Sequence, residues 1–537
     1  MRVGFHVPRG LVARFFLTLL FWVFAGSHFA TAQAEPVSYT TEEVSIPLAE
    51  GLRLKGEIYV PESLRRIGSQ PAVLFLNPFG QTIATYEPQA KLFAEQGYVV
   101  LRYNPRGWHG SEGVNTLDYD RVSRDAQEVI SWMIEHYGVT PGRIGVTGIS
   151  EGAGLALLLS AIEPRLGAVA ALSAWSDFAH PSLGNTQRAT WSGILMGFLV
   201  AFGNPPKLFA DLLKQLKEAP PGTSVGDIQK KNSPLRKLAA INAIGTPTLI
   251  SHNFDDTLFP VNQMFDFYKG LTAPKRLVVF PGFHAASEIS TIKQQDSGPW
   301  HEVKDWFAAR LLNEGTMAAS GMQFSLKNST AVLEESGPEP ADLQTSRYFL
   351  RKNEAGLWLN SEALESEPFA IHGRAFRGGH VSTGLPVLSA LKNLQKRELV
   401  TVDLDKVKAP EGLVLLSDPI PEARVLFGIP RLALKVHAAP RGMLIAHLLD
   451  VPQEGHAQLI THGVITWTSA AADGTVQLSL EALGVAWQLK AGHRLGLAFD
   501  TVDAEYAPAS LKDFWVNFGT EPGDLTLDVP WVRRPIR

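Results

Sequence analysis

Between Glu43 and Pro61 apolar and polar residues alternate on both sides of Gly51, a period of two that predicts a hairpin. After it the rhythm changes. Short, nearly continuous apolar runs appear at 71–78 (PAVLFLNP), 98–105 (YVVLRYNP), in RIGVTGIS before Glu151, and at 166–174, 246–253 and 276–282. Between them lie stretches such as 120–138, DRVSRDAQEVISWMIEHYG, whose Val, Ala, Ile and Met fall on one helical face. Apolar strands that alternate with helices predict a mostly parallel sheet covered on both faces.

The βα rhythm breaks between Trp175 and Ala243, where amphipathic segments with two proline-bearing turns predict a helical cap at about 176–243 over the C-terminal edge of the sheet. The helical stretch 301–315 is expected to close this first domain, 40–315. Residues 316–345 are rich in Ser, Gly, Ala, Glu and Pro and read as a linker. From 346 to 537 helical periodicity nearly vanishes, and short, alternating, turn-bounded runs predict an antiparallel β-sandwich.

Composition adds exclusions. The chain has 537 residues, a formal net charge of −4 and no cysteine. Disulfides, thiolate metal sites and a cysteine nucleophile are excluded, and the charge gives no nucleic-acid footprint. At the N-terminus Arg2, Arg9 and Arg14 surround or precede the apolar LVARFFLTLLFWVFAG, and Ala32-Gln33-Ala34 supplies an A-x-A cleavage motif. That layout predicts a signal peptide over 1–34 and export to the periplasm or medium. The apolar run after Arg14 is shorter than the ~20 residues that span a bilayer, so no membrane span is expected after cleavage.

The chemistry centres on Gly148-Ile149-Ser150-Glu151-Gly152, between an expected strand and an expected helix. A strand–turn–helix around G-x-S-x-G lifts a serine above the sheet as a nucleophile. Such a serine needs a base and an acid that orients the base, in the chain order Ser, acid, His. The strand ending at Asn253 leads to Asp255 and Asp256, and the strand ending near Gly282 leads to His284. Asp256, four residues before Pro260, is preferred as the acid, with Asp255 the alternative. The backbone N–H groups of Glu151 and Phe79 are the expected oxyanion donors. His109, His180 and His252 lie near the expected mouth and read as surface or supporting residues. No H-E-x-x-H and no glycine-rich dinucleotide motif appears, so neither metal nor cofactor is expected. Asn328-Ser329-Thr330 is a glycosylation sequon.

With these residues in hand, the chain resembles the cocaine esterase and X-Pro dipeptidyl-peptidase family. The resemblance rests on GYVVLRYNPRGWHGSEG, GRIGVTGISEGAG, NFDDTLFPVNQ and PGFHA in the first half, and on GIPRLALKVHAAPRGMLIAHLLDV, GHAQLITHGVITW and AGHRLGLAFD in the second. It implies an α/β-hydrolase fold with a helical cap followed by an all-β jelly-roll sandwich, with Ser150 as nucleophile, Asp256 as acid and His284 as base. Three positions depart from the family pattern. Phe79 replaces a tyrosine whose hydroxyl serves the oxyanion, Glu151 replaces an aromatic residue, and Asn104 replaces an aspartate.

The expectation is an exported serine hydrolase that cleaves a small ester or peptide through an acyl-enzyme, foremost a carboxylic ester. An X-Pro-type dipeptidyl-peptidase stays open, as does a non-catalytic binding protein on a hydrolase scaffold. Glu151 either meets a substrate's amino terminus or, as the preferred reading, points to solvent.

Overall fold

The computed structural model describes residues 36–533 apart from 63–69, 115–117, 179–229, 295–297, 316, 318–319, 338, 375–380, 382–398, 504, 507–508 and 511. The signal-peptide segment and most of the expected cap, with His180, lie outside the described residues.

Ten strands build the first sheet: β1 (Tyr39–Pro47), β2 (Arg53–Pro61), β3 (Gln70–Leu76), β4 (Val99–Tyr103), β5 (Val139–Ile149), β6 (Leu166–Leu172), β7 (Thr248–Asn253), β8 (Lys275–Phe280), β9 (Gly321–Ser325) and β10 (Val332–Glu335). Their order is β1-β2-β4-β3-β5-β6-β7-β8-β9-β10. The antiparallel hairpin β1–β2 forms one edge, β4 to β9 run parallel, and β10 folds back antiparallel on β9. All seven residues of β3 are buried, which explains why that strand carries no polar alternation.

Helices cover both faces. The helix Tyr119–Tyr137 starts where the Asp118 side chain accepts the Arg121 N–H and stops at Gly138, whose φ of 63° suits a left-handed cap. Because β4 to β8 are parallel, their C-terminal ends share one edge of the sheet, where ligands bind in open α/β folds.

The expected linker is a correction. Residues 321–335 are not a spacer, since β9 pairs with β8 and β10 with β9, and the sheet therefore does not end with the helix at 301–315. The physical reason is that Met322, Phe324, Leu326 and Leu333 face the core, and a few scattered apolar residues among Ser, Gly and Glu leave little trace in composition. Strand Leu343–Asn353 then begins three residues before the expected start of the sandwich.

Fourteen strands between Leu343 and Val532, among the described residues, make up the second domain. Nearly all pair antiparallel. Leu434, Trp487, Leu497, Phe499, Val516 and Trp531 lie in its core. This is the β-sandwich that the period-two patterning predicts, and the two domains pack as one compact unit.

The β9–β10 turn joins them. Lys327 N–H donates to the Ala486 carbonyl, and the Asn328 carboxamide pairs both ways with the Gln488 backbone at 2.8 and 3.0 Å. The sequon asparagine thus substitutes for a strand neighbour. Phe324 meets Phe427 of the sandwich with ring centroids 4.6 Å apart.

Candidate active site

Ser150 follows β5 directly and precedes the helix Glu151–Leu159. Its φ of 57° places a non-glycine residue in the left-handed region. The flanking glycines serve a different need from the strained turn itself. A Cβ on Gly152 would lie 1.9 Å from the Leu76 carbonyl oxygen, and one on Gly148 would lie 2.5 Å from it. The strain sits on the serine, and the glycines let β3, β5 and the helix approach. The Tyr86 hydroxyl, fully buried, reinforces this elbow from below: it donates to Leu76 O at 3.0 Å and accepts from Ile149 N at 2.8 Å. The sequence reading missed Tyr86, because its two partners come from strands that only the fold brings together.

The C-terminal edge brings three predicted residues into one chain of hydrogen bonds. His284 Nε2 lies 2.8 Å from Ser150 Oγ, and His284 Nδ1 lies 2.7 Å from Asp256 Oδ2. Asp256 is fully buried, and its Oδ1 accepts the N–H groups of Leu258 and Phe259 at 3.0 and 2.8 Å. Those bonds leave Oδ2 aimed at the imidazole. Asp255 turns the other way. Its carboxylate meets Lys327 Nζ at 2.5 Å, and the same ammonium donates to Ile460 O in the sandwich at 2.6 Å.

His252 and His109 take supporting places, as expected, while His180 lies outside the described residues. His252 is buried beside the acid, 3.5 Å from Asp256 Oδ2, with Nε2 2.6 Å from Phe259 O, and burial pushes its pKa down. His109 Nε2 lies 3.1 Å from Gly80 O, against the loop that carries Phe79.

Residues 50–286 match the model of the X-Pro dipeptidyl-peptidase (S15) family, and residues 324–513 match that of the X-Pro dipeptidyl-peptidase C-terminal non-catalytic domain. The chain belongs to the S15 family. Among solved structures, an aminopeptidase from the marine sediment archaeon Thaumarchaeota archaeon superposes with a TM-score of 0.72 at 13% identity, covering 93% of this chain and 97% of that one. An α-amino acid ester hydrolase gives 0.70 at 13% identity, covering 95% and 98%. At such identity these likenesses concern the fold. A polyketide transferase, ATR5, of Stachybotrys chlorohalonatus is 26% identical over 202 residues, 37% of this chain and 66% of its own length. The chain spans less than two thirds of the length of the first curated relatives it matches.

Within this S15 chain the two expected oxyanion residues come from two different segments, the helix after Ser150 and the loop after β3. Glu151 opens its helix, so its backbone N–H belongs to the first turn, which has no intrahelical acceptor. Phe79 lies in the loop after β3, half-buried, with its ring edge-on to Trp108 at 5.4 Å between centroids. Asn104 fixes that loop: its Oδ1 accepts from Asn77 Nδ2 at 3.0 Å and from Ile83 N at 3.1 Å. An amide at this position supplies its own donor as well, to His109 O at 3.2 Å, which a carboxylate could not.

The Glu151 side chain corrects the preferred reading. It does not point to solvent. It is buried, hydrogen-bonded to the buried Tyr119 hydroxyl, and burial pushes its pKa up to about 8. The Tyr119 ring in turn packs against Trp175 with centroids 5.1 Å apart, and Trp175 and Phe259 continue the aromatic wall as far as His284.

Proposed function

We propose that this chain is an exported carboxylic-ester hydrolase that works through a Ser150–His284–Asp256 triad and an acyl-enzyme. The observation that carries this reading is the relay from Ser150 Oγ to His284 Nε2 and from His284 Nδ1 to Asp256. Export is drawn from the leader-like N-terminus alone.

In this reading Ser150 Oγ bonds to the substrate carbonyl carbon as its proton passes to His284 Nε2. The carbonyl π electrons move to oxygen, and the backbone N–H groups of Glu151 and Phe79 hold the resulting oxyanion. The oxyanion collapses, the bond to the leaving oxygen breaks, and His284 returns its proton to the departing alcohol. Water, deprotonated by the same imidazole, then hydrolyses the acyl-enzyme and releases the acid. Asp256 keeps the imidazole in the tautomer with Nε2 free to accept and stabilises its cationic form.

Glu151 favours esters over Xaa-Pro amides. A dipeptidyl-peptidase must grip a free ammonium, and a carboxyl that is buried, bound to Tyr119 and neutral up to about pH 8 is a poor anchor for it. Missing a tyrosyl hydroxyl at Phe79 works in the same direction, because one oxyanion donor is worth about 10²- to 10³-fold in rate.

The test compares kcat/KM for p-nitrophenyl butyrate with that for Ala-Pro p-nitroanilide, in wild type and Glu151→Gln. The ester should be the faster substrate in both proteins, with an unchanged ratio. A wild-type preference for the anilide that disappears in Glu151→Gln would establish the peptidase instead. Stability supplies a second readout. Glu151 has a folded-state pKa above the unfolded value of 4.5, so its stabilising contribution is complete at low pH and is lost as pH rises towards about 8. Glu151→Gln, which cannot ionise, should therefore gain Tm relative to wild type at pH 9 and not at pH 4.

A further inference from the structure

Behind His284 lies a second acid that the triad does not use. Glu288 is fully buried in the short helix Ala286–Ser290. Its Oε1 accepts from Ser173 Oγ at 2.9 Å, and its Oε2 accepts from Asn253 Nδ2 at 2.8 Å. Ser173 Oγ also receives Asn253 Nδ2 at 2.9 Å and Ala285 N at 3.3 Å. Asn253 Oδ1 takes the Ser287 hydroxyl.

Burial pushes the Glu288 carboxyl up from its usual range, and the donors around it pull the other way. Ser173 has one hydroxyl hydrogen and already accepts two bonds, so that hydrogen goes to Glu288. Both amide hydrogens of Asn253 are spent, one on Ser173 and one on Glu288. Each Glu288 oxygen therefore accepts from a donor, which is what an ionised carboxylate does and a protonated one does only in part.

The cluster joins three strand ends. Ser173 follows β6. Asn253 ends β7 and leads, three residues on, to Asp256. Glu288 and Ala285 belong to the segment that follows β8 and carries His284. Strain gathers at the same place: Ser173 has φ 53° and Ala285 has φ 60°, both left-handed in non-glycine residues, as is Ser150. Such conformations persist only where their surroundings hold them, and here Ala285 N and Ser173 Oγ hold each other.

We propose that Glu288 is a positioning residue for His284, a buried carboxylate that locks the histidine-bearing loop to the strand end carrying Asp256 and favours the imidazolium formed when Ser150 attacks. The proposal rests on the triad reading above. Titratable groups near His284 in the described structure include Asp256 on Nδ1, buried His252 beside Asp256, and Glu288, whose pKa burial raises and the neighbouring His284 opposes.

The experiment uses the full chain and two probes, p-nitrophenyl butyrate and a fluorophosphonate that labels an activated serine. In Glu288→Gln the amide must set its NH₂ against one of two existing donors. Displacement of the imidazole by about an ångström costs on the order of 10²-fold. Both kcat and the labelling rate should fall by about that factor, with KM within about twofold. The acidic limb of kcat/KM should move to lower pH, because loss of a nearby negative charge lowers the proton affinity of His284. Glu288→Asp should return the acidic limb to its wild-type position while restoring only part of kcat.

A Glu288→Gln protein with wild-type kcat and an unmoved acidic limb would overturn the proposal, even with a lowered Tm, since Glu288 would then only fill the core. If Glu288→Gln does not fold, Ser173→Ala keeps the carboxylate and cuts its tie to β6. A lower kcat at unchanged KM supports the proposal, and an unchanged kcat overturns it. Wild-type protein that the fluorophosphonate does not label at Ser150 would instead defeat the triad reading, which separates the two failures.

Discussion

Ser150→Ala should lower kcat for p-nitrophenyl butyrate by about 10⁴- to 10⁶-fold, and His284→Ala should do nearly the same, because members of a triad act as a unit. The double variant should be little worse than either single one. Asp256→Asn should cost somewhat less, since an amide keeps the shape but reverses the hydrogen bond to His284 Nδ1. The decisive control is Asp255→Asn. Asp255 faces Lys327 rather than the imidazole, so its kcat should stay within about tenfold of wild type. A crippled Asp255→Asn beside a mild Asp256→Asn would move the acid to the neighbouring residue. Full activity in Ser150→Ala would remove the site altogether. A fluorophosphonate adds an answer that no substrate choice can blur: a retired hydrolase scaffold leaves Ser150 unlabelled.

A chain that stops at Gly315, where helical patterning ends, should be insoluble or inactive. It lacks β9 and β10, which leaves β8 as a bare parallel edge with its N–H and C=O groups unpaired. It also lacks Phe324, a fully buried ring that packs near Phe254 and Phe265, and burial of such a ring is worth about 1.5–3 kcal/mol. Catalysis should suffer for a separate reason. The loop with Asp256 is anchored at both ends to parts of the chain beyond 315. Asp255 holds Lys327, and Asn262 pairs with the Ala482 carbonyl and the Gly484 N–H at 2.9 and 2.8 Å. Size-exclusion chromatography and kcat/KM of the truncated protein measure both effects. A monodisperse, fully active truncation would make the sandwich an independent appendage.

Much of this architecture is legible in the sequence where chemistry is local. Apolar runs bounded by proline or glycine mark β3 to β8, since a strand buried on both faces is mostly apolar and admits polar side chains chiefly where they find partners, as at the end of β7. Ser150, Asp256 and His284 are legible because each follows such a run, and parallel strands bring their C-terminal ends to one edge. What stays hidden depends on partners distant in the chain. Nothing near Glu151 announces Tyr119, so a glutamate that reads as solvated turns out buried. Ser173, Asn253 and Glu288 are ordinary polar residues until the sheet sets three strand ends side by side. The β9–β10 pair escapes for another reason: strands of five and four residues, each with two apolar positions, are too short a window for periodicity to register.

The carboxamide of Asn328 bears on how the protein can be produced. In a eukaryotic secretory host Asn328-Ser329-Thr330 would be offered for glycosylation on Nδ2, the atom that donates to the Gln488 carbonyl. A glycan attached there before folding would stand between the β9–β10 turn and the strand Val485–Leu489 that it docks against. The two domains would then be kept from closing by a sugar. Bacterial expression avoids the problem, and so does blocking the sequon at Thr330, a residue whose replacement leaves the Asn328–Gln488 pairing in place.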